Sequence, residues 1–147
     1  MSVWKPDVVV VGIDGSEQSI RAAGVAAALA RQNDARLYVV TVVRPPEGWW
    51  GIVGSPPPAD ALTSSMSKAQ QSILDVAIGQ LDLEGLHWEA MEEIGEPAAA
   101  LADVCTERNA DLLVVGRRGA GIVERLVMGS VADRVAHYAP CAVLIIP

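Results

Sequence analysis

The chain has 147 residues, of which 51% are hydrophobic and 20% charged, and its formal net charge at pH 7 is −7. This length and composition predict one folded domain over residues 1–147 and exclude a disordered chain. The acidic balance argues against nucleic acid as a partner, and no apolar run approaches the roughly 18–20 residues of a membrane span. The first apolar run meets a Gly-Asp turn too early for a signal peptide, which favours a cytoplasmic protein.

The first half of the chain predicts two buried strands and a helix. Val8–Ile13 is a continuous, mostly β-branched run, typical of a strand buried on both faces. Ser16 is a suitable N-cap for a helix whose apolar face carries Ile20, Ala23, Ala27 and Ala30. A second buried strand is predicted at Leu37–Val43.

Residues 44–60 interrupt this regular pattern. They contain five prolines, three glycines and the pair Trp49 and Trp50, and we predict a long loop. Three roles stay open for the two tryptophans: a lid over a ligand, a partner-binding patch, or a loop folded on its own surface.

The second half of the chain alternates helices with strands. A helix is predicted from Leu62 to Leu81, and another begins at Pro97, where a missing N–H is harmless. The remaining elements are an edge-type strand at Leu86–Ile94, a buried strand at Leu112–Val115, a helix at Ser130–Tyr138 and a final strand at Cys141–Ile146. Cys105 and Cys141, far apart in sequence, are expected to be buried thiols in a reducing compartment rather than a disulfide or a metal site.

This alternation predicts an α/β fold with one doubly wound, five-stranded parallel sheet and helices on both faces, similar to a Rossmann fold. In such sheets, ligands bind beyond the carboxyl ends of the strands, where the strand order reverses. An order of 3-2-1-4-5 places that reversal between the first and fourth strands. Residues 12–16 and 116–131 then flank one crevice.

The segment 116–131 has the composition of a phosphate-binding loop. Gly116 permits close backbone approach, Gly119 and Gly121 allow unusual turns, and Ser130 opens a helix. The N–H groups at that helix start would hold phosphate oxygens, and Arg117 and Arg118 could neutralise their charge. An ordinary strand-to-helix loop with solvated arginines is the alternative.

The facing loop offers Gly12, Asp14 and Ser16. Asp14 could hold a divalent cation that bridges phosphates, or accept hydrogen bonds from a base or ribose. Ser16 could add a further donor. Equally, Asp14 could simply stabilise the turn at Gly15, and Ser16 could serve as an N-cap alone.

The spacing Gly116-x2-Gly119-x9-Gly129-Ser130 matches the nucleotide-binding signature of the universal stress protein family. The segments VVVVGIDGSEQS, GEPAAAL, ADLLVVGRRG and APCAVLIIP also resemble that family, and the likeness covers the chain outside the variable loop at 44–60. The resemblance implies the strand order 3-2-1-4-5, an adenine nucleotide as ligand, which is ATP in the ATP-binding members, and a homodimer. A Mg²⁺ ion that accompanies the nucleotide would bind through Asp14. The site residues implied by the resemblance or by the loops are Gly12, Asp14, Ser16, Val42, Val115, Gly116, Arg117, Arg118, Gly119, Gly129, Ser130 and Val131.

Two positions depart from the family pattern. Ala132 stands where many members have Ser or Thr as a further phosphate donor, and the hydrogen bond so lost corresponds to about 0.5–1.5 kcal/mol. Arg117 stands where Ser or Thr is commoner, and its charge could partly compensate.

The sequence predicts a binding protein with a regulatory or signalling role in the stress response rather than an efficient enzyme. No lysine follows the glycines as in a Walker motif, no carboxylate pair is spaced to activate water, and His87 and His137 are expected to lie away from the crevice. Slow ATP hydrolysis is the most that these residues support. The alternatives are a dimeric interaction module without nucleotide, a cyclic-AMP-binding member, and an enzyme that activates substrates with ATP.

The last strand carries an apolar, uncharged run, Val143–Ile146. As the predicted edge of the sheet, this run would be open to pairing with another chain. We therefore predict a homodimer that covers this edge.

Overall fold

A computed structural model describes residues 3–44, 59–118 and 128–147, with residues 59–66 described at the level of the backbone. Residues 45–58 of the predicted loop at 44–60, including Trp49 and Trp50, lie outside the described residues, as do Gly119 and Gly121. Nine elements follow one another along the described chain. They are β1 (Val8–Ile13), α1 (Glu17–Asn33), β2 (Arg36–Val43), α2 (Ala59–Gly79), β3 (His87–Ile94), α3 (Pro97–Glu107), β4 (Leu112–Gly116), α4 (Ser130–Tyr138) and β5 (Ala142–Ile146).

The five strands form one parallel sheet in the order β3-β2-β1-β4-β5, which confirms the predicted fold. The reversal of strand order falls between β1 and β4, where the sequence placed it. Helices cover both faces, because each parallel crossover returns through a helix.

The continuous apolar runs are explained by two cores, one on each face of the sheet. Val9 and Val11 of β1 point to the face covered by α1 and α2, whereas Val10 points to the face covered by α3 and α4. Alanines at positions 22, 23, 26, 27 and 30 let α1 approach the sheet closely. A strand with two buried faces has no position for a polar side chain, and this is why the sequence alternation is absent there.

Several predicted element boundaries were wrong by one to three residues, whereas β1 and α4 have the predicted bounds. Arg36 belongs to β2 because its N–H donates to the carbonyl oxygen of Asp7. Leu86 lies in a turn, where its N–H donates to the carbonyl of Leu83, so β3 begins one residue later than predicted. The last two residues of the predicted loop, Ala59 and Asp60, form the start of α2.

The two outer strands differ in character. β3 is an edge strand, as predicted, and its glutamates at positions 89, 92 and 93 discourage pairing with another chain. β5, the other edge, carries the half-buried apolar residues of Val143–Ile146. No helix within the described residues is both long enough and apolar enough to cross a membrane.

Candidate functional site

The central strands separate at their carboxyl ends and open a cleft there. The β1–β4 ladder ends at the pair Val11 and Val114, although both strands continue, β1 with β2 and β4 with β5. The cleft beyond that point has a volume of about 220 Å³. It is lined by Gly12, Ile13, Asp14, Ser19, Val42, Pro97, Gly116, Arg117, Arg118, Gly129, Ser130, Val131 and Ala132.

The exit of β1 is held by a compact set of hydrogen bonds. Asp14 Oδ1 accepts from the Ser16 N–H at 2.9 Å, which fixes the turn at Gly15, where φ is +89°. Ser16 Oγ accepts from the Ser19 N–H at 3.1 Å and so caps α1. Ser19 Oγ donates to the Ser16 carbonyl at 2.9 Å and accepts from the Asp14 N–H at 3.3 Å. Of the two serines in this turn, Ser19 lines the cleft and Ser16 does not.

The exit of β4 is joined directly to the start of α4. Arg117 N–H donates to the Ile146 carbonyl at 2.7 Å, and Gly129 N–H donates to the Arg117 carbonyl at 2.8 Å. The second bond brings residues twelve positions apart in sequence together at the rim of the cleft, and the first ties Arg117 to the end of β5.

The N-terminus of α4 has the features of an anion site. Its N-cap is Gly129, which has no side chain, whereas α1 and α3 are capped by Ser16 and Glu96. The first bond of the helix runs from the Asp133 N–H to the Gly129 carbonyl at 3.0 Å. The N–H groups of residues 130–132 precede that bond and lie where the helix dipole attracts negative charge. Together they can bind a phosphate group.

Two arginines add positive charge to the same wall of the cleft. Arg117 and Arg118 both line it, and both are half-buried. The Nε of Arg117 is shielded from solvent and makes no hydrogen bond to any residue in the described ranges. A buried donor of this kind is stabilised by an acceptor from a ligand.

A charged cluster lies next to Pro97 in the chain, outside the lining of the cleft. Glu96 Oε1 lies 3.1 Å from an Arg134 nitrogen and 3.5 Å from an Arg44 nitrogen, while Oε2 accepts from the Ala99 N–H at 2.8 Å. Partial burial opposes ionisation of Glu96, but the N–H groups of Ala99 and Ala98 and the charge of Arg134 outweigh it, so its pKa is lowered from 4.5. The cluster links the end of β2 and the start of α3 to the middle of α4.

The structure brings together nine of the twelve residues predicted for the site. Ser16 lies in the capping turn and Val115 in the sheet, and neither residue lines the cleft. Gly119 lies outside the described residues. The sequence reasoning missed Ile13, Ser19 and Pro97. Ser19 carried a signal, since it lies three residues after an N-cap, the position whose N–H the cap binds. Pro97 carried none, because its nearness to the cleft depends on how α3 packs.

Within the described residues, no group of three or more His, Cys, Asp or Glu side chains is arranged to hold a metal ion. Asp14 lines the cleft, but its Oδ1 already accepts from Ser16. A Mg²⁺ ion here would therefore take one carboxylate at most from these residues, with the rest of its shell from phosphate and water. This arrangement is common where Mg²⁺ accompanies a nucleotide.

The two cysteines meet at the other end of the sheet. Cys105 on α3 is buried and Cys141, just before β5, is half-buried, and both are free thiols in side-chain hydrogen-bond contact. Burial raises the pKa of both thiols. Both are therefore protonated at neutral pH and poor nucleophiles.

The fold and the cleft define a doubly wound α/β protein with a helix start that lacks a side-chain cap at its switch point. Comparison with known proteins places it more narrowly: the family model described as the universal stress protein family matches residues 6–147. The chain belongs to the universal stress protein family, which confirms the resemblance seen in the glycine signature.

Individual relatives agree over nearly the whole chain. A universal stress protein of Thermus aquaticus is 34% identical over 139 residues, covering 94% of this chain and 96% of its own. The crystal structure of a universal stress protein in complex with cAMP has a TM-score of 0.66 at 28% identity and covers 98% of each chain. The universal stress protein from Archaeoglobus fulgidus in complex with dAMP has a TM-score of 0.56 at 25% identity, covering 99% of this chain and 100% of its own.

Proposed function

We propose that this universal stress protein binds an adenine nucleotide, with ATP as the ligand, in the cleft between β1 and β4. The observation that carries the proposal is the helix start without a side-chain cap at Gly129 and Ser130, which opens into that cleft. N–H groups, a hydroxyl and two arginines converge there on one wall. The complete glycine signature of the family supplies this wall.

The lining of the cleft offers both polar and apolar groups for a nucleotide. The phosphate groups lie at the start of α4, beside Arg117 and Arg118. The apolar side chains of Val42 and Pro97 line the same cleft and offer a surface for the adenine. Asp14, at the exit of β1, is placed to accept a hydrogen bond from the base or ribose, or to hold Mg²⁺ that the phosphates bring.

Two structural neighbours support the adenine part of this proposal. One is a universal stress protein in complex with cAMP and the other is in complex with dAMP. Both ligands contain adenine and a single phosphate group. They therefore support adenine as the base of the proposed ligand and leave its number of phosphate groups open. Cyclic AMP is therefore the second candidate ligand for this chain.

We propose a regulatory role in the cytoplasm rather than efficient catalysis. The chain's two lysines, Lys5 and Lys68, both lie outside the glycine signature. His137 lies 3.7 Å from Asp133 on the outer surface of α4, and His87 begins the edge strand β3. With no histidine base beside the cleft among the described residues, bound ATP would be hydrolysed slowly at most. The free thiols of Cys105 and Cys141 fit a reducing compartment.

The test is mass spectrometry of nucleotide released from the purified, denatured protein, followed by calorimetric titration with ATP and cAMP. We expect an adenine nucleotide in the wild type and reduced occupancy in Ser130→Ala. Ser72→Ala is a matched control, because that hydroxyl is exposed on α2 and donates to the Lys68 carbonyl far from the glycine signature. A wild type that carries no nucleotide and gives no heat with either ligand contradicts the proposal and favours an interaction module.

We also propose a homodimer through β5. Its outer edge is unpaired within the described sheet, and Val143–Ile146 are apolar and half-buried. A second copy that pairs along this edge would satisfy the backbone groups and cover the apolar side chains. Light scattering at micromolar concentration tests the proposal, and a mass of one chain would contradict it.

A further inference from the structure

Arg117 occupies a fixed position beside the proposed phosphate site. Two hydrogen bonds hold its backbone. The Arg117 N–H donates to the Ile146 carbonyl at 2.7 Å, and the Arg117 carbonyl accepts from the Gly129 N–H at 2.8 Å. One hydrogen bond therefore separates Arg117 from the N-cap of α4. The position of its Cα is set by β5 and α4 together, so the side chain starts from a rigid point on the rim.

The guanidinium of Arg117 is in a different state from those of Arg44 and Arg134. Those two share the carboxylate of Glu96, at 3.5 and 3.1 Å, so each has an anionic partner within the protein. The Nε of Arg117 is hidden from water and has no hydrogen-bond acceptor among the described residues. A charged donor without a partner is costly, and oxygen atoms of an anionic ligand remove that cost.

The start of α4 can satisfy one phosphate group without help. Residues 130–132 present three backbone N–H groups, and Ser130 adds a hydroxyl. The neighbouring position Ala132 lines the cleft with a methyl group and offers no further donor. A second phosphate group therefore needs a different partner, and Arg117 lies at the adjacent point of the rim.

We infer that Arg117 makes this chain select nucleotides with two or more phosphate groups over those with a single one. The inference rests on the proposed function and assigns its ligand class. The helix start holds one phosphate group and Arg117 holds the next, through the paired N–H groups of its guanidinium. A cyclic monophosphate has two free oxygens and one negative charge, which the helix start satisfies by itself.

Calorimetric titrations of the wild type, Arg117→Ser and Arg117→Lys with ATP and with cAMP test the inference. We expect Arg117→Ser to weaken ATP binding by about tenfold or more, the loss of one charged hydrogen-bonding group, and cAMP binding by less than about threefold. We expect Arg117→Lys to bind ATP about as weakly as Arg117→Ser does, because an ammonium group cannot present two parallel N–H groups.

Arg36→Ser is the control for net charge, because Arg36 is exposed at the start of β2, at the opposite end of the sheet. It is expected to leave both affinities unchanged. Equal weakening of ATP and cAMP by Arg117→Ser, unchanged ATP affinity, or full recovery in Arg117→Lys would overturn the inference while leaving nucleotide binding intact. A wild type that binds neither ligand would instead remove the proposed function.

Discussion

The backbone N–H of Gly129 donates a 2.8 Å hydrogen bond to the carbonyl oxygen of Arg117. This bond closes the glycine signature into a loop whose two ends meet at the carboxyl end of β4. It gives a physical reason for the fixed spacing between Gly116 and Ser130, since the intervening length must return the chain to the same rim. A change of that length would move the start of α4 away from the cleft.

Gly116 is required because α1 lies against it. A Cβ at this position would stand 3.0 Å from the backbone carbon and the Cβ of Gln18 and 3.2 Å from the Ser19 nitrogen. We expect Gly116→Ala to lower the free energy of unfolding by about 1–3 kcal/mol, because the backbone of α1 must shift. Urea unfolding measures this change.

Gly24→Ala is the matched control for that substitution. Gly24 is exposed in the middle of α1, and a Cβ there would meet no atom within 4 Å. We expect a gain of about 0.5–1 kcal/mol, because alanine restricts the unfolded chain and favours a helix. If Gly116→Ala and Gly24→Ala changed the free energy of unfolding equally, the close contact between Gly116 and α1 would not explain the need for glycine there.

The fold was predictable because its signals are local and repeated. The runs at Val8–Ile13 and Leu112–Val115 are apolar on both faces, which in a chain of this length indicates a parallel sheet between helices. The site was predictable in outline because the exits of β1 and β4 are both rich in glycine and hydroxyl groups. Their meeting at one crevice follows from the strand order.

What could not be predicted depends on packing between distant segments. The sequence does not reveal that the Ser16 hydroxyl accepts a hydrogen bond from the Ser19 N–H. A serine at this position could cap the helix or donate to a ligand, and the sequence pattern is the same in both cases. It does not reveal that Cys105 meets Cys141, since that contact depends on how α3 lies over the sheet. The nearness of Pro97 to the cleft has the same origin.

Glu96 is expected to stabilise the fold in a pH-dependent way. It caps α3 and pairs with Arg134 and Arg44, and its pKa is lowered from 4.5 by the hydrogen bonds and charge around it. We expect Glu96→Gln to cost about 1 kcal/mol at pH 7, because the amide oxygen can still cap α3 but the ion pairs with Arg134 and Arg44 are lost. Because the folded pKa is the lower one, this contribution is present above pH 4.5 and is lost as the pH falls through the folded value.

Denaturant unfolding at pH 7 and at pH 3 measures the effect of Glu96→Gln. Glu107→Gln, at the exposed end of the same helix, is the control and is expected to change stability by less than about 0.5 kcal/mol at either pH. If the difference in the free energy of unfolding between Glu96→Gln and wild type is the same at pH 7 and at pH 3, the charge of Glu96 contributes nothing to stability.

We expect the buried thiol pair to lower the free energy of unfolding at high pH. Burial raises the pKa of Cys105 above its ordinary value of 9.0, so above pH 9 the unfolded chain loses a proton that the folded chain keeps. The unfolded state then binds fewer protons, and the free energy of unfolding falls by about 1.4 kcal/mol per pH unit for such a thiol. Replacement by alanine removes this slope. We therefore expect the stability difference between wild type and Cys105→Ala to narrow from pH 8 to pH 10, and a constant difference would contradict the explanation.

Ala132 offers a test by gain of affinity. It lies in the first turn of α4 and lines the cleft, where a hydroxyl could donate to a phosphate oxygen. We expect Ala132→Ser to tighten ATP binding by about two- to tenfold, the range given by one neutral hydrogen bond. Ala136→Ser is the matched control, because position 136 is exposed on the same helix away from its start. Calorimetric titration of both variants decides the matter: equal affinities would mean that the bound phosphate does not lie against the first turn of α4.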